Sequence, residues 1–423
     1  DGKPAKHVVL ISVDGMRPIE YQREPSYVPE VKAMAQAGCA ATGATAVFPT
    51  VTYPNHTAIV TGQLPAAHGI VSNNIFDPFN QTSGGWYWYA EQIKTPAIWQ
   101  VVKAAGGTTA SVGWPVTVGA QIDYLIPEYR NLRHPDDMAL LRALSTPGLV
   151  AGIEKRLGTV EPLKAGDEFK ADAAAFIFEK YRPALTLLHL TELDHEQHVA
   201  GTDSPEAIAS LKHLDGVIAK LKKQVEAAAA GEPVTWIIVS DHGFQKIEKQ
   251  FNPKVAVRNL GYVTYTRQNT VDSWRVFPRT AGGAFALVAK DAHDAEAIDR
   301  TRRYFEFLAK DPQIGIHRLY SPDELKKMGA FPDAFLAGDM VEGFTAGDNP
   351  DGMLVSDTAN KGMHGYDPAN PNMRASFLVS GAGAARCRAL ENVRLVDVAP
   401  TAAAILGLRF PESAGRVQSE AIR

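Results

Sequence analysis

Two cysteines among 423 residues are too few for a disulfide framework or a thiolate zinc cluster. Cys39 and Cys387 stand toward opposite ends of the chain and read as ordinary buried thiols. Long apolar runs are missing too. The longest, such as 185–190 and 234–239, have strand length and fall far short of the roughly 20 residues that cross a bilayer, so no membrane span is expected. Charge of one sign is also absent: 43 Lys+Arg against 47 Asp+Glu give a net charge of -4. No global positive field exists to hold nucleic acid or an anionic membrane, and an anionic ligand must be gripped locally. No internal repeat or low-complexity tract stands out. What remains is an average globular composition, 45% hydrophobic and 21% charged, able to bury a real core. The first residue is Asp1 rather than methionine, which is read as the removal of a signal peptide, a tag or an arbitrary stretch; the first of these gives the expectation of an exported, secreted or periplasmic, location.

Residues 7–13 form an almost continuous apolar run that ends at Asp14-Gly15, the pattern of a buried parallel strand with a functional loop at its carboxyl end. The pattern returns at 184–190, which runs into Thr191, Glu192 and Asp194, and at 235–239, which runs into Ser240-Asp241-His242-Gly243. Helical spacing fills the intervals at 29–37, 96–105, 171–181 and 205–230. This alternation predicts an α/β fold, a mostly parallel central sheet with helices on both faces. Ligands of such sheets collect beyond the carboxyl ends of the strands, so the three aspartate-bearing loops should converge. Residues 251–360, with short β-prone pieces and a helix near 295–308, read as an inserted cap between core segments 1–250 and 361–423. A second, short insertion is expected around 124–167.

Carboxylates and imidazoles suit Zn²⁺ where thiolates are absent. Asp14, the pair Asp194 and His198, the pair Asp241-His242, and His364 supply six candidates in four separated clusters. Four-residue spacing places Asp194 and His198 on one helical face. Singly, an aspartate after a strand is more often a cap or a turn residue. Together the six suit a two-metal hydrolytic site with ions ~4 Å apart. His195 lies about 100° around the helix from Asp194 and is set aside with Glu192. His7, His68, His134, His189, His213, His293 and His317 read as structural or surface residues.

Between the first two clusters lies Phe48-Pro49-Thr50-Val51-Thr52-Tyr53-Pro54-Asn55-His56, followed by Thr61-Gly62, His68-Gly69-Ile70 and Asn73. A hydroxyl fixed between prolines ahead of a helix fits a nucleophile held near a metal and a helix amino end, although taken alone Thr52 reads first as an N-cap. With the metal clusters, this stretch resembles the nucleotide pyrophosphatase/phosphodiesterase family of the alkaline phosphatase superfamily. The likeness runs in order from Val8 to Asp367, through the Pro-Thr-x-Thr-aromatic-Pro-Asn-His run, the asparagine 21 positions after the threonine, Asp-x-x-x-His, Asp-His-Gly and His-Gly-Tyr-Asp. It covers most of the expected core and little of the cap.

The resemblance implies two Zn²⁺ per chain, one held by Asp194, His198 and His364 and the other by Asp14, Asp241, His242 and the Thr52 oxygen. It implies Thr52 as nucleophile, a phospho-threonine intermediate resolved by water, and Asn73 donating to the phosphoryl oxygen beside the backbone N–H of Thr52 or its neighbour. No separate general base is required, and His56 is assigned a structural role. The implied activity is hydrolysis of phosphodiester or pyrophosphate bonds in a small-molecule, nucleotide-type substrate. Tyr53, and Tyr129 in Ile126-Pro127-Glu128-Tyr129, resemble the two walls of a nucleobase slot; the other reading packs Tyr129 on the core and leaves Tyr53 lining the pocket without touching a base. Trp86-Tyr87-Trp88-Tyr89 reads as a partly exposed strand or loop.

The same scaffold also carries phosphomonoesterases and phosphonate hydrolases. A sulfatase is disfavoured because neither cysteine stands in a Cys-x-Pro-x-Arg context, and the metal-dependent phosphoglycerate mutases use serine. A non-catalytic relative would lack one of the metal ligands, and none is missing. The sequence is silent on oligomeric state.

Overall fold

The computed structural model describes residues 5–82, 85–129, 138–158, 166–268 and 270–423. His134 lies outside them. The core is a seven-stranded sheet whose strands, in chain order, are β1 (His7–Val13), β2 (Cys39–Ala40), β3 (Thr109–Val112), β4 (Tyr124–Ile126), β5 (Leu185–Leu190), β6 (Val234–Val239) and a last strand, Phe377–Gly381. Their spatial order is β2, Phe377–Gly381, β6, β1, β5, β3, β4. All pairs are parallel except those of Phe377–Gly381, which runs antiparallel to both β6 and β2.

Every residue of β1, β5 and β6 is buried, because helices cover both faces, and most of their side chains on either side of the pleat are accordingly apolar. Val9, Ile11 and Val13 pack into one hydrophobic cluster with helices Pro29–Ala37, Asp167–Tyr181 and Pro205–Ala229. Val8 and Leu10 pack into another, with helices Ile98–Ala104 and Val398–Ile405. Register positions the site. Val13 lies beside Leu190 and Ser12 beside Val239, so the carboxyl ends of β1, β5 and β6 are level.

Residues 245–363 build a second layer. β7 (Gln245–Phe251) pairs parallel with Gly343–Ala346 and antiparallel with Val355–Asp357 and Gly362–Met363. Beside it stands an antiparallel sheet in the order Val276–Ala281, Ala284–Ala289, Ala334–Met340, Ile316–Tyr320. Its first hairpin turns on Gly282-Gly283, with Gly282 at φ +63° as a two-residue turn requires. That turn is pressed against the loop that carries His364: the Gly283 N–H donates to the His364 carbonyl at 2.7 Å. A Cβ at Gly282 would lie 2.2 Å from that same carbonyl oxygen, and one at Gly365 would lie 2.1 Å from the Ala281 oxygen. Only glycine allows so close an approach.

Two expectations change. The segment around 124–167 opens with β4, an edge strand of the central sheet, so its start belongs to the core rather than to an insertion. Cys39 and Cys387 are not free thiols; they form a disulfide across 348 residues, with Cα atoms 4.8 Å apart. The cause is topological. β2 is hydrogen-bonded to Phe377–Gly381, and the chain leaving that strand returns along β2, with the Cys387 N–H donating to the Gly38 carbonyl at 3.2 Å. Distance along the chain said nothing of distance in space. Replacing both cysteines by serine is expected to cost ~2–4 kcal/mol of unfolding free energy, read from the denaturant midpoint against the oxidised wild type.

Candidate metal centre

Six side chains from four segments meet beyond the level ends of β1, β5 and β6. Asp14 follows β1, Asp241 and His242 follow β6, Asp194 and His198 stand on helix Glu192–Ala200 after β5, and His364 follows strand Gly362–Met363. The Asp14, Asp241 and His242 ligand atoms lie within 4.8 Å of one another, as do those of Asp194, His242 and His364, so His242 joins the two groups. His198 completes the second through its Nε2, 3.4 Å from Asp194 Oδ1. The His242 and His364 rings stack at 3.6 Å.

The three imidazoles are oriented alike. Nδ1 of His198 faces the Gly362 carbonyl at 3.0 Å, Nδ1 of His242 the Gly243 carbonyl at 3.1 Å, and Nδ1 of His364 the Thr50 carbonyl at 3.0 Å. A proton on Nδ1 satisfies each carbonyl and leaves the Nε2 lone pair directed into the cluster, the arrangement that metal-ligating histidines adopt. The carboxylates follow the same logic. Asp241 Oδ1 accepts the Gly15 N–H at 3.2 Å, while its Oδ2 has no hydrogen-bond partner. Asp14 Oδ1, Asp194 Oδ1 and His242 Nε2 are likewise buried and unpartnered.

Such groups are costly to bury bare, and four of them in one cluster is the chemistry of a cation site. Burial, and then repulsion from Asp241 and Asp194, push the Asp14 carboxyl up to about 8. For Asp194, burial is outweighed by His198 and His364, which hold it down at about 2. Burial and the adjacent His242 imidazole lower His364 to about 3, keeping it neutral and able to ligate. The donor set of carboxylate oxygens and imidazole nitrogens, without thiolate, fits Zn²⁺ and similar divalent ions.

Thr52 is the first residue of helix Thr52–Thr61, so its N–H is among those without an intrahelical carbonyl. Its hydroxyl makes no N-cap; the capping position is Val51. The loop before it is fastened on two sides. Asn55, fully buried, accepts the Val47 N–H at 2.7 Å and donates to the Val51 and Pro49 carbonyls at 2.9 and 3.1 Å. Thr50 donates to the Tyr366 carbonyl at 2.9 Å and accepts the Gly365 N–H at 3.1 Å, which ties this loop to that of His364. Asn73 uses its Oδ1 to accept the Tyr53 N–H at 2.8 Å.

Tyr53 is fully buried, its ring edge-on to Trp86 and Trp88 at 5.0 and 5.9 Å, and its hydroxyl donates to Glu128 at 3.1 Å. Tyr129 is half-buried and tilted against Trp88 at 5.2 Å. Trp86 to Tyr89 form an irregular segment rather than a strand. His195 points to solvent, and Glu192 accepts the Asp167 N–H at 2.9 Å. His56 is buried, its Nδ1 on the Thr52 carbonyl at 2.9 Å, and burial lowers it to about 3.

Three participants were hidden in the sequence. Thr50 and Asn55 lie inside the recognised run, yet nothing in the run separates a loop fastener from a reacting group. His189, among the imidazoles set aside, reaches from β5 to within 3.0 Å of Asp14. The signal was available: an imidazole inside the buried, mostly apolar strand Leu185–Leu190 has to be paired. Removing the loop fastener with Asn55→Ala should cost about 2–3 kcal/mol, because the Val47 N–H loses its acceptor and the Pro49 and Val51 carbonyls each lose one of two donors; chemical denaturation measures it.

The profile of the family described as type I phosphodiesterase / nucleotide pyrophosphatase matches residues 8–367. The human ectonucleotide pyrophosphatase/phosphodiesterase family member 1 is 26% identical over 242 residues, 56% of this chain and 23% of that protein. The venom phosphodiesterase of Macrovipera lebetinus is 27% identical over 395 residues, 89% of this chain and 40% of that protein. The chain thus spans well under half the length of these relatives. Among solved structures, human ectonucleotide pyrophosphatase/phosphodiesterase 5 superposes with a TM-score of 0.71 at 20% identity, covering 97% of both chains. The murine counterpart, an inactive threonine-to-alanine variant in complex with AMP, gives 0.70 at 21% identity, again over 97% of both chains. With a match across most of its length and this architecture, the chain belongs to the type I phosphodiesterase / nucleotide pyrophosphatase family.

Proposed function

We propose that this chain is a two-zinc hydrolase of phosphodiester or pyrophosphate bonds, acting on nucleotide-type substrates through a phospho-threonine on Thr52. The observation that carries the reading is the set of four buried ligand atoms, on Asp14, Asp194, Asp241 and His242, that have no hydrogen-bond partner and face one another. Asp194, His198 and His364 would hold one ion, and Asp14, Asp241, His242 and the Thr52 oxygen the other. Bound there, two divalent cations supply charge stabilisation for the attacking and departing oxygens.

The chain's own groups do the rest. The Thr52 oxygen, its proton given up to solvent, attacks phosphorus in line and the bond to the leaving oxygen breaks with its electron pair; water then attacks phosphorus, the Thr52 O–P bond breaks, and a proton from that water restores the hydroxyl. The amino end of helix Thr52–Thr61 favours negative charge on that oxygen. Asn73, its Oδ1 engaged by the Tyr53 N–H, has its amide N–H₂ left for an equatorial phosphoryl oxygen. Because Tyr53's N–H is taken, the backbone donor that pairs with Asn73 is assigned to Thr52. Tyr129 is assigned to the substrate side of the pocket, and Tyr53, fully buried against Trp86 and Trp88, to the wall behind it. Residues 251–360 are assigned as a cap inserted between core segments 1–250 and 361–423. The AMP complex of the murine structural neighbour supports a nucleotide as substrate class.

Action outside the cytosol is part of the proposal. A disulfide persists in oxidising compartments, and the relatives are named as ectoenzymes and venom enzymes. No helix among the described residues is long and apolar enough to cross a membrane.

Metal analysis of purified protein is expected to find two zinc ions per chain. Turnover of thymidine 5′-monophosphate p-nitrophenyl ester should exceed that of p-nitrophenyl phosphate, and Thr52→Ala should lower it by about 10³-fold or more without loss of zinc. Preference for the monoester would overturn the substrate class, and an active Thr52→Ala would overturn the nucleophile.

A further inference from the structure

β5 reads Leu-Thr-Leu-Leu-His-Leu, and its imidazole, His189, is 1% exposed. Both ring nitrogens face only oxygen acceptors. Nε2 lies 3.0 Å from Asp14 Oδ2, and Nδ1 lies 3.1 Å from both the Gly113 carbonyl and Glu128 Oε2. The other oxygen of Glu128 accepts the Tyr53 hydroxyl at 3.1 Å. Tyr53 in turn holds Asn73 by its backbone N–H at 2.8 Å, and it directly follows Thr52. One hydrogen-bonded chain therefore runs from Asp14 through His189, Glu128 and Tyr53 to Asn73.

Its effect on Asp14 is specific. A carboxylate has two oxygens, and a bare one turns freely between ligating geometries. Here Oδ2 is engaged by His189, whereas Oδ1 is buried, unpartnered and 3.3 Å from His242 Nε2. Asp241 is treated in the same way, with Gly15 N–H on Oδ1 and Oδ2 turned to the cluster, 3.0 Å from His242 Nε2. The Asp241 restraint is a backbone group, which no side-chain change short of proline removes. The Asp14 restraint is a side chain, and it is itself held by Glu128.

We propose that His189 and Glu128 are positioning residues: His189 fixes the Asp14 carboxylate for its cation, and Glu128 links that imidazole to Tyr53, so one chain of hydrogen bonds sets both metal ligand and substrate pocket. The inference rests on the two-zinc reading above. Groups that orient a ligand in this way are worth ~10–100-fold in metal affinity.

The test is zinc affinity, measured by competition with a chromogenic chelator, together with melting temperature. In His189→Gln the amide can reach the former Nε2 position and still donate to Asp14; in His189→Asn it reaches only the Nδ1 position. His189→Asn is expected to weaken one of two zinc sites by about 10–100-fold and leave the other unchanged, and His189→Gln to restore most of the loss. Glu128→Gln, which removes one of two acceptor links, should weaken the same site and raise KM for the nucleotide ester. Equal zinc affinity in all three variants, or equal losses in His189→Asn and His189→Gln that track their melting temperatures, overturns the proposal. If His189→Asn does not fold, Glu128→Gln decides alone, and unchanged affinity in it counts against the proposal. Wild-type protein that binds no zinc defeats the two-zinc reading instead.

Discussion

Buried carboxylates repel, and the organisation of this molecule follows from bringing three of them together. Asp14, Asp194 and Asp241 share one cluster at the level ends of β1, β5 and β6, and burial with mutual repulsion lifts the Asp14 carboxyl well above its ordinary range. Imidazoles offset part of that cost, and the bare oxygens that remain ask for cations. A sheet with both faces covered concentrates the cost at one place, because it is rigid and its strand ends cannot spread.

The surrounding loops serve that cluster. Thr50 ties the segment before Thr52 to the segment after His364, and Asn55 closes the same segment on itself. The Gly282-Gly283 turn presses on the His364 backbone from the second layer. Groups far apart in the chain are thus fixed relative to one another by side-chain-to-backbone ties at Thr50 and Asn55 and by the backbone contact at the turn. Glycine at 282 and 365 is the condition for this, since a single methyl would separate the two layers at the ligand itself.

Much of this was legible in the residues. The apolar runs of β1, β5 and β6 announced a buried parallel sheet, and the aspartates that follow them announced where its loops converge. The i, i+4 spacing of Asp194 and His198 needed only helical geometry. Long-range pairing was not legible. Nothing in the order of residues brings Cys387 to Cys39, because that contact depends on the last strand returning beside β2. β4 was lost in a supposed insertion because three residues are too short to show a period. His189 and Glu128 escaped for a related reason: their partners are 175 and 75 positions away, at Asp14 and Tyr53, so no local spacing marks them.

The two-residue strand β2 closes one rim of the central sheet, and Cys39 within it is bonded covalently to the chain that flanks it. An open rim is a template on which a foreign strand can grow. This one offers almost no length and cannot peel away while the sulfur bridge holds. Against self-association through added strands at this rim, the chain carries its protection in that strap.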